Sequence, residues 1–155
     1  MRRILSSIAI STMLSLGLSA CAQALDKPLE SIVENAPASL FDGTWENDRG
    51  SAAVLETLPD GRLTGHYQTN VGQPDKGQKF PLTGFAEGDQ LTFTVNFKGY
   101  GSITAWAGQH SVDAKGEFIK TLWHLTRDVD DAAETDDMWG SITAGASTFR
   151  RLKVD

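Results

Sequence analysis

Gly43-Thr44-Trp45-Glu46-Asn47-Asp48-Arg49-Gly50-Ser51 is the stretch from which the fold is read. It is a short strand pattern that runs into polar residues and a Gly-Ser turn, and the same pattern recurs down the chain. Pro59-Asp60-Gly61 is a hairpin signal between runs 52–58 and 63–69. Gly88-Asp89 separates 80–87 from 90–97, and Asp113-Ala114-Lys115-Gly116 separates 102–109 from 118–127. An acidic segment, 128–137, precedes the last run, 140–150. With 43–47 this makes eight runs joined by short turns, and no segment shows a sustained helical period. The prediction is an all-β fold, an eight-stranded antiparallel up-and-down β-barrel, wide enough to hold one small ligand.

Side chains alternate across a strand, so the residues that share an interior can be sorted by parity. Tyr67, Thr69 and Val71 fall on one face. Ser102, Thr104 and Trp106 fall on another, and Thr121, Trp123 and Leu125 on a third. Asn47 and Ser51 share parity at the end of the first strand, with Arg49 between them in the series. A sealed core prefers aliphatics, because buried hydroxyls and amides need partners. Aromatic walls with a few placed polar groups are what a small-molecule pocket needs. These inward sets contain no histidine and no carboxylate, which argues against a barrel hydrolase, since a serine or threonine needs a base. His66 and His124 are out of phase and should face outward. The three histidines have no metal-ligand spacing, and the acidic segment lacks the glycine and terminal acid of a calcium loop, so no metal or cofactor is expected.

The chain has 155 residues, enough for one domain. Arg2 and Arg3 followed by the apolar stretch 4–18 read as an export signal, residues 1–24. Ala22-Gln23-Ala24 fits cleavage before Leu25, while Leu18-Ser19-Ala20-Cys21 fits a lipobox that would anchor the protein through Cys21. The expected location is periplasmic or extracellular. Residues 25–42 would form an N-terminal arm, 43–151 the barrel domain and 152–155 a short tail. Removal of Arg2 and Arg3 leaves 12 basic residues against 20 acidic, a net charge of −8, which argues against nucleic acid or an anionic membrane as a partner. The apolar stretch is too short and too polar for a membrane span.

Several pieces in order resemble the avidin/streptavidin family. They are Gly-Thr-Trp-x-Asn-x-x-Gly-Ser (43–51), Leu-Thr-Gly-x-Tyr-x-Thr-x-Val-Gly (63–72), Phe-Thr-Val-x-Phe-Lys (93–98), Ser-x-Thr-x-Trp-x-Gly-Gln (102–109), Thr-x-Trp-x-Leu (121–125), and Trp139 with Thr148-Phe149. The resemblance implies a noncatalytic, high-affinity biotin binder. Asn47, Ser51 and Tyr67 would then donate to the ureido oxygen, and Thr69 would accept from a ureido N–H. Thr104 would face the ring sulfur. Ser102 and the backbone near Gln73 would meet the carboxylate. Phe97, Trp106 and Trp123 would wall the rings, with Val71 and Leu125 beside them, under a lid formed by 71–79. In tetrameric relatives the tryptophan equivalent to Trp139 caps a neighbouring subunit's pocket, which implies a homotetramer, with a dimer as the alternative.

Three positions depart from the family pattern. Ser147 stands where an Asp or Asn usually accepts from the second ureido N–H, and Phe97 replaces a wall tryptophan. Arg49 replaces a leucine and is expected to point to solvent or pair with an acid. These departures keep a second reading open, a lipocalin-like binder of another small hydrophobic metabolite.

Overall fold

The computed structural model describes residues 39–153. The signal, the lipobox cysteine, most of the arm and the last residues of the tail lie outside the described residues. Eight strands follow one another: β1 (Gly43–Asn47), β2 (Ala52–Thr57), β3 (Arg62–Gln68), β4 (Lys79–Glu87), β5 (Gln90–Phe97), β6 (Ser102–Asp113), β7 (Gly116–Arg127) and β8 (Ile142–Arg151). Each pairs antiparallel with the next, and β8 returns to β1 through Trp45 opposite Arg151 and Asn47 opposite Phe149. The barrel is closed, so no strand edge is left to aggregate.

Alternation builds this wall. In β5 every second residue is buried, placing Leu91, Phe93, Val95 and Phe97 inside. Each such side chain contributes on the order of 2 kcal/mol when fully removed from water. The deepest residues, Trp45, Leu63, Ile119 and Phe149, fill one end of the barrel together with Phe41. Phe41 belongs to the stretch assigned to the arm, yet it is completely buried. Its carbonyl accepts from Trp45 Nε1 at 2.7 Å, so the last residues before β1 serve as a plug. The other end is open.

Three sequence expectations need correction. β6 and β7 continue to a turn at Ala114-Lys115, so the hairpin is longer than 102–109 and 118–127. The polar tip is held by Arg150, which donates to both carboxylate oxygens of Asp113 at 2.8 and 2.7 Å. The acidic segment is not plain loop: it contains one helical turn, α1 (Glu134–Asp137), followed by a 3-10 turn (Trp139–Ser141), and β8 starts only at Ile142. Finally, an imidazole and a carboxylate do enter the interior. His110 continues the parity of Trp106, stands edge-on to Phe41 and Trp45 at ring distances of 6.1 and 6.0 Å, and meets Glu117 Oε1 at 3.2 Å. Glu117 also pairs with Arg151, whose guanidinium lies 4.3 Å over the Trp45 ring. This cluster sits at the plugged end. Burial works against the Glu117 charge, but Arg151 and His110 hold its carboxyl below the usual range.

Asp113 is drawn down to about 2 by the hydrogen bonds from Arg150 and then from the Lys115 backbone. A depressed carboxyl stabilises the fold above its unfolded value of 3.8, and the contribution disappears as pH falls towards 2. Asp113→Asn should therefore lower the urea midpoint at roughly pH 5 and above. The gap from the parent should close in acid melts carried down to the folded value, and a gap independent of pH would contradict this.

Candidate functional site

The open end holds a cavity of about 370 Å³, within the range of small-molecule sites. Its lining joins six of the strands to the loops between β1 and β2, β3 and β4, and β5 and β6. Of the residues singled out from the sequence, Asn47, Tyr67, Thr69, Val71, Gln73, Phe97, Ser102, Thr104, Trp106, Trp123, Leu125 and Ser147 all line it. Two do not. Ser51 is wholly buried behind the lining, and Trp139 is 83% exposed away from this chain's own cavity.

The polar end of the cavity is organised by the β1–β2 turn. The Asn47 carboxamide oxygen accepts from the backbone N–H of Arg49 at 3.0 Å and of Ser51 at 2.9 Å. Backbone N–H groups can only meet the oxygen, so the amide nitrogen is turned inward, where it donates to Tyr67 Oη at 3.3 Å. The phenol thus has an incoming donor and keeps its own proton free. Burial pushes the Tyr67 phenol up, against the opposing pull of its contacts with Ser51 and Asn47, so it remains protonated. Ser51 Oγ accepts from the Asn70 N–H at 2.9 Å and reaches the phenol from behind. In Asn47 and Tyr67, the two of these groups that line the cavity, the protein has occupied an acceptor, and donors are what remain. Thr69 has the opposite sense: its hydroxyl donates to Val71 O at 2.8 Å and accepts from the Val71 N–H at 3.2 Å, leaving one oxygen lone pair.

The walls are aromatic and mutually braced. Trp106 stacks on Phe93 at 4.8 Å and 14°, and Tyr67 tilts against Trp106 at 5.1 Å. Phe97 is held edge-on by Phe80 and Tyr67 at 5.0 and 6.0 Å. Trp106 Nε1 is buried with no protein acceptor among the described residues. Ser147 lies 6% exposed in the same lining, and its carbonyl accepts from Thr121 Oγ1 at 3.0 Å.

Two lining residues, Arg127 and Tyr100, escape the sequence reading, and a third, Arg49, makes a contact other than the one expected. Arg127 is two positions beyond Leu125, on the same face, and pairs across the sheet with Ser102; carrying the parity one step further would have found it. Tyr100 donates to Gln78 Oε1 at 2.8 Å, tying the β5–β6 loop to the β3–β4 loop. Arg49 was expected in solvent or against an acid. It is exposed, but its guanidinium lies 5.8 Å over the Trp123 ring at the cavity mouth and has no carboxylate partner among the described residues. The lining contains no imidazole and no carboxylate.

Comparison with known proteins points in one direction. The Avidin family model matches residues 35–152. Avidin of Gallus gallus is 34% identical over 121 residues, covering 72% of this chain and 78% of avidin. The crystal structure of xenavidin superposes with a TM-score of 0.63 at 34% identity, covering 72% of this chain and 96% of that one. The biotin binding protein from chicken gives 0.65 at 28% identity, covering 76% of this chain and all (100%) of that one. The rhizavidin–biotin complex gives 0.64 at 24% identity, over 77% of this chain and 98% of that one, a likeness of fold.

Trp123 is seated on a glycine. A Cβ at Gly145, its partner across β7 and β8, would lie 2.4 Å from Trp123 Cζ2. Gly145→Ala should displace the indole into the cavity and cost about 1–3 kcal/mol in urea unfolding. Far-UV circular dichroism should stay unchanged while tryptophan emission shifts; an unmoved emission spectrum with parental stability would show that the ring is not seated this way.

Proposed function

This chain belongs to the avidin family, and on that premise we propose that it is a noncatalytic binder of biotin, held upright in the barrel with its urea inward. The observation that carries the reading is the one-way polarity of the inner cluster. Asn47 and Tyr67 each have an acceptor already filled by the protein and a proton left over, and Ser51 backs the phenol from behind the lining. Two donors aimed into the same end of the cavity fit a carbonyl oxygen, and in a dry site such preorganised donors are stronger than in water. Thr69, with its proton committed to Val71, fits a ureido N–H.

The ring system would lie between Trp106, Trp123 and Phe97, with Thr104 towards the sulfur and Ser147 towards the second ureido N–H. The side chain would run out past Leu125 and Val71 to Ser102 and the backbone near Gln73. The donor pair also speaks against a wholly hydrophobic metabolite, which would leave two buried donors unpaired at a cost of about 1–3 kcal/mol each. Without an imidazole or carboxylate in the lining, its hydroxyls have no base, in keeping with a binder rather than a hydrolase.

We further propose export, on the strength of Arg2, Arg3 and the apolar stretch with its Ala22-Gln23-Ala24 site, and assembly as a homotetramer. Trp139 supports the assembly, because it is 83% exposed and has no cover from its own barrel. Phe85 and Leu122 add to it, at 64% and 66% exposure on the outer wall, where single apolar side chains gain from a second copy.

Isothermal titration of the purified mature protein with free biotin tests the reading. Saturable binding at one biotin per chain, with quenching of tryptophan emission, is expected. No heat and no quenching from a protein folded by circular dichroism would refute it. In the same format, Trp139→Ala should release biotin about tenfold or more faster, as loss of a buried aromatic anchor does. It should leave the mass of one barrel's fold intact; an unchanged release rate would remove the shared cap.

A further inference from the structure

Five arginines lie among the described residues, and three of them are paired with carboxylates: Arg62 with Asp60, Arg150 with Asp113 and Arg151 with Glu117. The two that are not, Arg49 and Arg127, both line the mouth of the same cavity. They arrive from different places. Arg49 comes from the β1–β2 turn and is carried over the Trp123 ring at 5.8 Å, while Arg127 ends the inward face of β7 opposite Ser102. Asp48 and Asp128 adjoin them in sequence, yet neither forms an ion pair with them. The chain carries an excess of acid, 20 acidic against 14 basic residues, yet two guanidinium groups without an ion-pair partner among the described residues meet at this one opening.

We propose that Arg49 and Arg127 form a carboxylate clamp that makes this site selective for the free acid of its ligand over amide or ester conjugates of it. The inference rests on the biotin reading above and names the form of biotin that the site takes. A guanidinium offers paired N–H donors that match a carboxylate, and it attracts the anion before contact. A neutral amide at the same place gains neither. The inner cluster reads the urea and cannot tell the two forms apart, so discrimination falls to the mouth. The clamp also works on the approach: the acid should associate more slowly as salt is raised, whereas the amide should be indifferent.

The test compares biotin with its uncharged primary amide, titrated into the parent protein, the Arg49→Gln/Arg127→Gln double variant and the Arg49→Lys/Arg127→Lys double variant. The quantity read is the ratio of the two affinities within each protein, so any common effect on fold or ring contacts cancels. The parent should favour the acid by about tenfold, as expected for two partly exposed charge contacts. The ratio should fall to near one in the glutamine variant and persist in the lysine variant. Stopped-flow association should slow with salt for the acid alone. Equal binding of acid and amide by the parent, or a preference that survives in the glutamine variant, overturns the clamp while leaving biotin binding intact. Absence of binding by both ligands overturns the biotin reading and the clamp together.

Discussion

The Asn47 carboxamide oxygen is held by the two backbone N–H groups of the β1–β2 turn, and the polarity of the whole inner site follows from that pair of bonds. Were the amide free to rotate, Tyr67 could face either an acceptor or a donor, and the direction of its proton would be undefined. With the oxygen consumed, only N–H is presented, the phenol must accept it, and the phenol's proton is left for whatever lies beyond. Burial keeps that proton in place by pushing the phenol's titration up. A turn of ordinary geometry thus becomes a chemical statement about the ligand: an acceptor is wanted there.

That statement needs a rigid frame, because a donor a fraction of an ångström out of place loses much of its value. The frame is the aromatic series Phe93, Trp106, Tyr67, Phe97 and Phe80, in which each ring is fixed by the next. Beneath it the barrel is sealed by Phe41, Trp45 and Phe149, with Arg151 bridging the ring of Trp45 to the carbonyls of Leu40 and Asp42. One end of the barrel therefore supplies stability and the other supplies recognition. His110 and Glu117 lie on inward faces without belonging to the site because they occupy the stabilising end.

Period-two alternation made much of this readable before any coordinates. It assigned Tyr67, Thr69, Ser102, Thr104, Trp106, Trp123 and Leu125 to the interior, since the sign of a strand's face survives small errors in its ends. Depth along the barrel axis was not readable. It depends on the stagger of neighbouring strands, so Ser51 and Asn47 share parity yet only Asn47 reaches the cavity. Turns have no period at all, which is why Tyr100 was missed and why Arg49 was left to solvent. The length of β6 and β7 was hidden by polar residues that a two-stranded tip tolerates when an Arg150–Asp113 clamp holds it. Phe41 was hidden because a plug is defined by what it fills, and nothing local marks it.

The departures from the family pattern are coupled through charge. An aspartate at position 147 would place a carboxylate deep in a cavity of low polarity, where its field reaches far because little water screens it. Such a charge repels an anionic ligand tail even as it strengthens one ureido bond. Ser147 removes the repulsion and gives up the charge-assisted bond, leaving a neutral hydroxyl in the same lining as Trp106. The guanidinium groups of Arg49 and Arg127 stand at the opposite end of the same axis, where a carboxylate tail would emerge. With no carboxylate in the lining, no lining group competes with the ligand for them. With the proposed clamp, charge acts on the ligand at the mouth of the cavity and not at its floor. A floor charge would grip the invariant head of the ligand, whereas a mouth charge grips the part that distinguishes one derivative from another.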